Sequence, residues 1–144
     1  MPQVEFHSGV AAPVHFACRL LRKACRQHVA VLVTAPPDTL EQLDRELWTF
    51  EPLAFVPHRR LRDPGSIDAA LRRTPIWLCE TAPPPPGPGV LLNIGGAAPA
   101  DAERFERIIE IVAAVPQQAQ RARARWRGYE ALGWPLQHHS HASA

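Results

Sequence analysis

A chain of 144 residues, 46% hydrophobic and 21% charged, is read as one globular domain able to bury about 68–70% of its unfolded surface. A net charge of +2 is too small to argue for nucleic acid by itself, and no apolar run approaches the roughly 18 residues of a membrane span. The N-terminus lacks the charged and apolar regions of a secretory signal, and three cysteines without a CxxC pair point to neither a disulfide frame nor a zinc site; the expected location is the cytoplasm.

Val4-Glu5-Phe6-His7 is a short alternating strand, and Ser8-Gly9 supplies a turn. Pro13 suits the first turn of a helix, where its missing amide hydrogen costs nothing. Val14, Ala17, Cys18, Leu21, Ala24 and Cys25 then form a one-sided stripe, with His15, Arg19, Arg22, Lys23 and Arg26 opposite. The basic side is read as a solvated face, and phosphate tracking is the sharper alternative. Val29 to Thr34 is a continuous, largely β-branched run, the pattern of a strand covered on both faces.

A second helix is expected to begin after Asp38, whose carboxylate can cap it, with Leu40, Leu43 and Leu47 on one side. It breaks near Pro52, and Phe55-Val56 reads as a short extended piece ended by Pro57. Trp48 and Phe55 thus leave a helix end and the following strand, either pinned into the core or shared with a partner. Ser66-Ile67-Asp68 is a possible helical turn, and Ile76 to Cys79 is a further strand. The proline tract within Thr81–Gly89 is read as a stiff connection between neighbouring strands, with a polyproline ligand as the alternative. Val90 to Ile94 is again a buried strand, and Gly95-Gly96 turns the chain out of the sheet.

Phe105, Ile108, Ile109 and Val112 have the spacing of a helix stripe, with Asp101 and Glu103 near its start favoured by the helix dipole. Pro116 separates it from a last helix, Gln117 to about Leu132, stopped by Gly133. Residues 135–144 are polar and bear histidines, and a flexible tail is expected after a single domain of residues 1–134. Alternating strands and helices predict a three-layer α/β/α, Rossmann-like domain with a mainly parallel sheet.

Enzymatic devices are missing from this pattern. Neither GxGxxG, GxxxxGK[ST] nor GxSxG occurs, and Asn93-Ile94-Gly95-Gly96 is only a partial echo of a phosphate loop. His58 is read as capping or structural, and His138, His139 and His141 sit on a loose tail, a poor place for a metal. No catalytic residue, metal or cofactor is expected.

The last helix is more informative. Between Val115 and Tyr129 there are four arginines and no acidic residue. Arg121 and Arg125 share one ridge, and Arg123 and Arg127 share another about 200° round. Ala119, Ala122, Trp126 and Tyr129 form an apolar stripe, so Arg123 stands one turn before Trp126. A guanidinium beside an aromatic wall suits a ligand that carries a carboxylate and a bulky apolar side chain.

Leu43-Asp44-Arg45-Glu46-Leu47-Trp48 and Phe55-Val56-Pro57-His58 spell LDxxLW and FxPH. Together with Val29–Val33, Val90–Ile94 and Ala122–Tyr129, in this order over about residues 4–134, they make the chain resemble the chi subunit of bacterial DNA polymerase III. The resemblance implies a non-catalytic adaptor of the clamp-loader assembly, associated with the replisome and the nucleoid and touching DNA only indirectly. It implies that the last helix binds the acidic, phenylalanine-ended tail of single-stranded-DNA-binding protein. Arg123 takes the place of the key arginine, Trp126 that of the ring after it and Val115 that of the valine ahead of the helix, with Arg121 as the second basic residue. Trp126 stands where a tyrosine is usual. Trp48 and Phe55 would meet the small psi subunit, which reaches the clamp loader. The competing reading is a basic α/β protein that binds nucleic acid directly.

Overall fold

The buried β-branched runs form a sheet, and the amphipathic segments between them cover it. A computed structural model describes residues 1–51, 55–62 and 68–141. In chain order the elements are β1 (Gln3–Val10), α1 (Pro13–Arg26), β2 (Val31–Thr34), α2 (Pro37–Thr49), β3 (His58–Leu61), α3 (Ala69–Arg73), β4 (Ile76–Cys79), β5 (Val90–Ile94), a 3-10 turn (Ala102–Arg104), β6 (Arg107–Ala113), α4 (Pro116–Ala131) and β7 (Leu136–Ser140). The seven strands lie in the order β3-β4-β2-β5-β6-β1-β7, and every pairing is parallel.

Every residue of β2, β4 and β5 is buried, as helices on both faces of a parallel sheet require. Val14, Ala17, Cys18 and Leu21 of α1 and Leu40, Leu43 and Leu47 of α2 pack on one face against Val31, Val33, Leu78, Leu92 and Ile109. Leu71 of α3, Phe105, and Ala122 and Tyr129 of α4 pack on the other against Phe6, Leu32, Trp77, Leu91 and Ile108. The result is the expected three-layer α/β/α arrangement. Cutting one of these leucines back to alanine costs about 2–5 kcal/mol.

Helices α1, α2 and α4 all open on proline, with no side-chain cap. Proline has no amide hydrogen to leave unpaired and its φ is already helical. Asp38 therefore does not cap α2: Pro36 holds that position, and Asp38 sits in the first turn, where its charge suits the dipole. A side-chain cap does occur at α3, where Asp68 accepts from the Leu71 amide at 2.8 Å. Ser66 and Ile67 lie outside the described residues.

Four further expectations are corrected. Phe105–Val112 is not a helix: Arg107–Ala113 is β6. Ile108 and Val112 face one layer and Ile109 and Ile111 the other, so a doubly covered strand reproduced helical spacing by chance. The extended piece placed at Phe55-Val56 is instead β3, which begins at His58. The proline tract does not join neighbours, because β2 lies between β4 and β5. It crosses the sheet over Trp77, closely enough that a Cβ on Gly87 would stand 3.2 Å from the indole ring. Finally, Leu136–Ser140, expected in a flexible tail, forms β7 against β1 in register from Val4↔Leu136 to Ser8↔Ser140. An edge strand with one half-buried residue is held by main-chain bonds rather than by apolar pattern.

Candidate functional site

Helix α4 lies along the sheet with Ala122 and Tyr129 buried. Gly133, at φ +76°, ends it in the left-handed conformation that favours glycine. The α4 arginines then separate by direction. Arg125 points into the sheet and its Nε donates to Glu110 Oε2 at 3.1 Å, the carboxylate being fully buried and the arginine side chain 9% exposed. Tyr129 donates its hydroxyl to the same oxygen at 3.2 Å. Burial pushes the Glu110 carboxyl up to about 7, although Arg125 and the hydrogen bonds pull it down; desolvation outweighs the pair.

Arg123 points the other way. It is exposed and has no ion pair among the described residues. It stands at the mouth of a cleft of about 590 Å³ between α4 and the ends of β1 and β6. Trp126, half-buried, forms one wall and meets Phe6 edge-on with ring centres 5.2 Å apart. Val115, Pro116 and Ala119 form the apolar end at the start of α4. Val115 is 48% exposed. His138 of β7 lines the cleft next to Trp126, their rings edge-on with centres 6.2 Å apart, and its Nε2 bonds Ser8 Oγ at 2.6 Å.

Of the four residues named from sequence, Val115, Arg123 and Trp126 thus share this cleft. Arg121 does not: it lines a separate groove of about 650 Å³ between α4 and the Gly95–Ala102 segment. His138 was missed, because its position depends on a pairing between two strands at opposite ends of the chain.

The second aromatic site is also at the surface. Trp48 is 57% exposed and Phe55 67%, their ring centres 5.7 Å apart. Trp48 rests on His58, whose ring is 4.8 Å away. That ring is wedged between two acceptors, the Val56 carbonyl at 2.7 Å and Asp44 Oδ1 at 2.8 Å. So Asp44 of LDxxLW and His58 of FxPH brace the platform that displays the two rings; His58 is structural, as read.

At the C-terminal ends of the strands, where α/β folds hold nucleotides, Gly95-Gly96 is committed internally. Asn93 accepts from the Gly96 amide at 3.0 Å and donates to its carbonyl at 2.8 Å. No helix among the described residues is long and apolar enough to cross a membrane.

The model of the family described as DNA polymerase III chi subunit, HolC, matches residues 1–137. A protein of Pseudomonas aeruginosa named DNA polymerase III subunit chi is 33% identical over 144 aligned residues, covering 96% of each chain. That name denotes an accessory subunit of the polymerase rather than its catalytic one. With the LDxxLW and FxPH residues built into one exposed platform and the α4 arginine and tryptophan into one cleft, the match runs through both sites, and the chain belongs to the DNA polymerase III chi-subunit family.

Proposed function

We propose that this chi-family protein is a non-catalytic adaptor whose α4 cleft captures the acidic, phenylalanine-ended C-terminal tail of single-stranded-DNA-binding protein. The observation that carries the reading is an exposed Arg123, without an ion pair among the described residues, beside Trp126 at the mouth of an open apolar cleft. The guanidinium takes the terminal carboxylate or the acidic residues before it, and the phenylalanine ring fills the space between Trp126 and Val115. Arginine suits this because its fork grips a carboxylate in two places.

On the far side of the molecule, the Trp48–Phe55 platform docks psi and through it the clamp loader. Large rings on a braced surface are the usual anchors of an interface. DNA is then reached only through the coated template. Titration of the protein with a tail peptide, and with a peptide lacking the last phenylalanine, tests the reading. Strong binding of the first and weak binding of the second is expected. Equal binding of both, or binding of bare single-stranded DNA with a steep salt dependence, would favour the direct nucleic-acid reading instead.

A further inference from the structure

We infer that the outer edge of the sheet carries a binding site for a divalent transition-metal ion of the zinc class, built from Glu5 and His7 of β1 and His139 of β7. The ordering of β7 creates it. Glu5 and His7 are two apart on one strand, and the β1–β7 register sets His7 beside His139, so all three side chains rise from one face. Their candidate ligand atoms lie within 4.8 Å of one another, and the His7 and His139 rings stack with centres 4.9 Å apart.

Around a tetrahedral ion with bonds of about 2.0–2.1 Å, donors lie roughly 3.3 Å from each other. His7 Nε2 and Glu5 Oε2 are already 3.0 Å apart, so closure requires a shift mainly of the exposed His139 ring. The fixed part is well anchored, the side chains of His7 and Glu5 being 12% and 18% exposed. Arg107 holds the other Glu5 oxygen, its Nε donating to Oε1 at 2.8 Å, which leaves Oε2 for the ion.

A further histidine orients the set. Coordination through His7 Nε2 places that ring's proton on Nδ1, where it donates to His141 Nε2 at 2.9 Å, the outer contact that ligating histidines ordinarily make. Two imidazoles and one carboxylate favour zinc, copper or nickel over magnesium or calcium. The fourth position faces solvent and takes water. Binding clamps β7 to β1 on the face opposite His138 and the α4 cleft.

Zinc chloride, titrated into the full chain with calorimetry and thermal melting as readouts, tests this. One ion per chain with saturable binding and a rise in Tm is expected, both reduced at least about tenfold in affinity in Glu5→Gln and His139→Gln. His15→Gln, on an exposed position of α1, should leave them unchanged. No saturable binding, or binding by His139→Gln equal to that of the parent chain, overturns the site. Loss shared equally by His15→Gln, with more than one ion per chain, also overturns it, as scattered surface histidines would then be responsible. The outcome is independent of tail binding.

Discussion

Arg125→Ala separates the arginine that builds the fold from the one exposed for binding. Glu110 is completely buried and, among the described residues, Arg125 is the only cation paired with it, through one 3.1 Å bond. Removing the guanidinium leaves an uncompensated internal carboxylate, a loss of about 3–5 kcal/mol where Glu110 is ionised. For a chain of this length that corresponds to a fall of roughly 10–20 °C in Tm. The cost depends on pH in a definite direction. Burial has raised the Glu110 carboxyl from 4.5 to about 7, so its contribution is fully present below about 4.5 and is lost as pH rises through about 7. In the variant the carboxyl protonates more readily still, so at pH 5.5 the cost falls to that of a lost hydrogen bond, about 1–3 kcal/mol. Urea unfolding of both proteins at pH 5.5 and pH 8 measures this. A loss under about 1 kcal/mol at pH 8, or the same loss at both values, would refute the account of the Glu110 pocket.

Arg121→Ala should leave tail-peptide affinity within about twofold, since it faces a different groove; a loss comparable to that of Arg123→Ala in the same titration would move the site across α4. Trp48→Ala removes an exposed ring and should change stability by no more than about 0.5 kcal/mol. It should weaken retention of clamp-loader components in a pull-down while tail binding persists, and loss of both together would signal a collapsed fold. Gly96→Ala places a Cβ 2.9 Å from Asn93 Oδ1, at the Asn93–Gly96 turn. Overpacking there should cost about 1–3 kcal/mol in urea unfolding, and a neutral result would mean that the turn gives way freely. On the acid side, Glu5, held at about 2, contributes stability above about 4.5 that disappears as pH falls through about 2, and Glu5→Gln should flatten that part of the unfolding profile.

Segments whose environment is local were readable in the chain. The α1 stripe, the apolar runs of β2, β4 and β5, and the glycine stop after α4 each follow from residues within a few positions of one another. Failures came where the environment is remote. Ile108-Ile109-Glu110-Ile111-Val112 carries apolar residues at both periods, and only its insertion between β5 and β1 decides for a strand. Ile111, off the supposed helical stripe, was the available hint. The same error hid the role of Arg125: with β6 read as a helix, nothing marked Glu110 as a buried partner, and Arg121 and Arg125 looked alike on one ridge. Direction on α4 becomes legible only when the sheet beneath it is known. β7 was missed for a simpler reason: its residues after Leu136 are exposed, so hydropathy carries no signal, and its partner β1 is at the far end of the chain. That omission concealed His138 in the cleft and the Glu5–His7–His139 cluster alike.

At the Trp48 platform the residue motifs were visible, but not the mechanics. The carboxylate of Asp44 and the carbonyl of Val56 hold the His58 ring, and that ring supports the tryptophan. Single letters give the spacing of Asp44, Trp48 and His58; the bracing is seen only when helix α2 and the segment leading into β3 are set side by side.

The central claim is most directly tested by mapping amide and indole resonances of the isotope-labelled protein as the tail peptide is added. Shifts concentrated at Val115, Arg123, Trp126 and His138, and absent in Arg123→Ala at the same peptide concentration, are what the cleft requires. Shifts centred instead on Arg121 and the Gly95–Ala102 groove, or on Trp48 and Phe55, would contradict it.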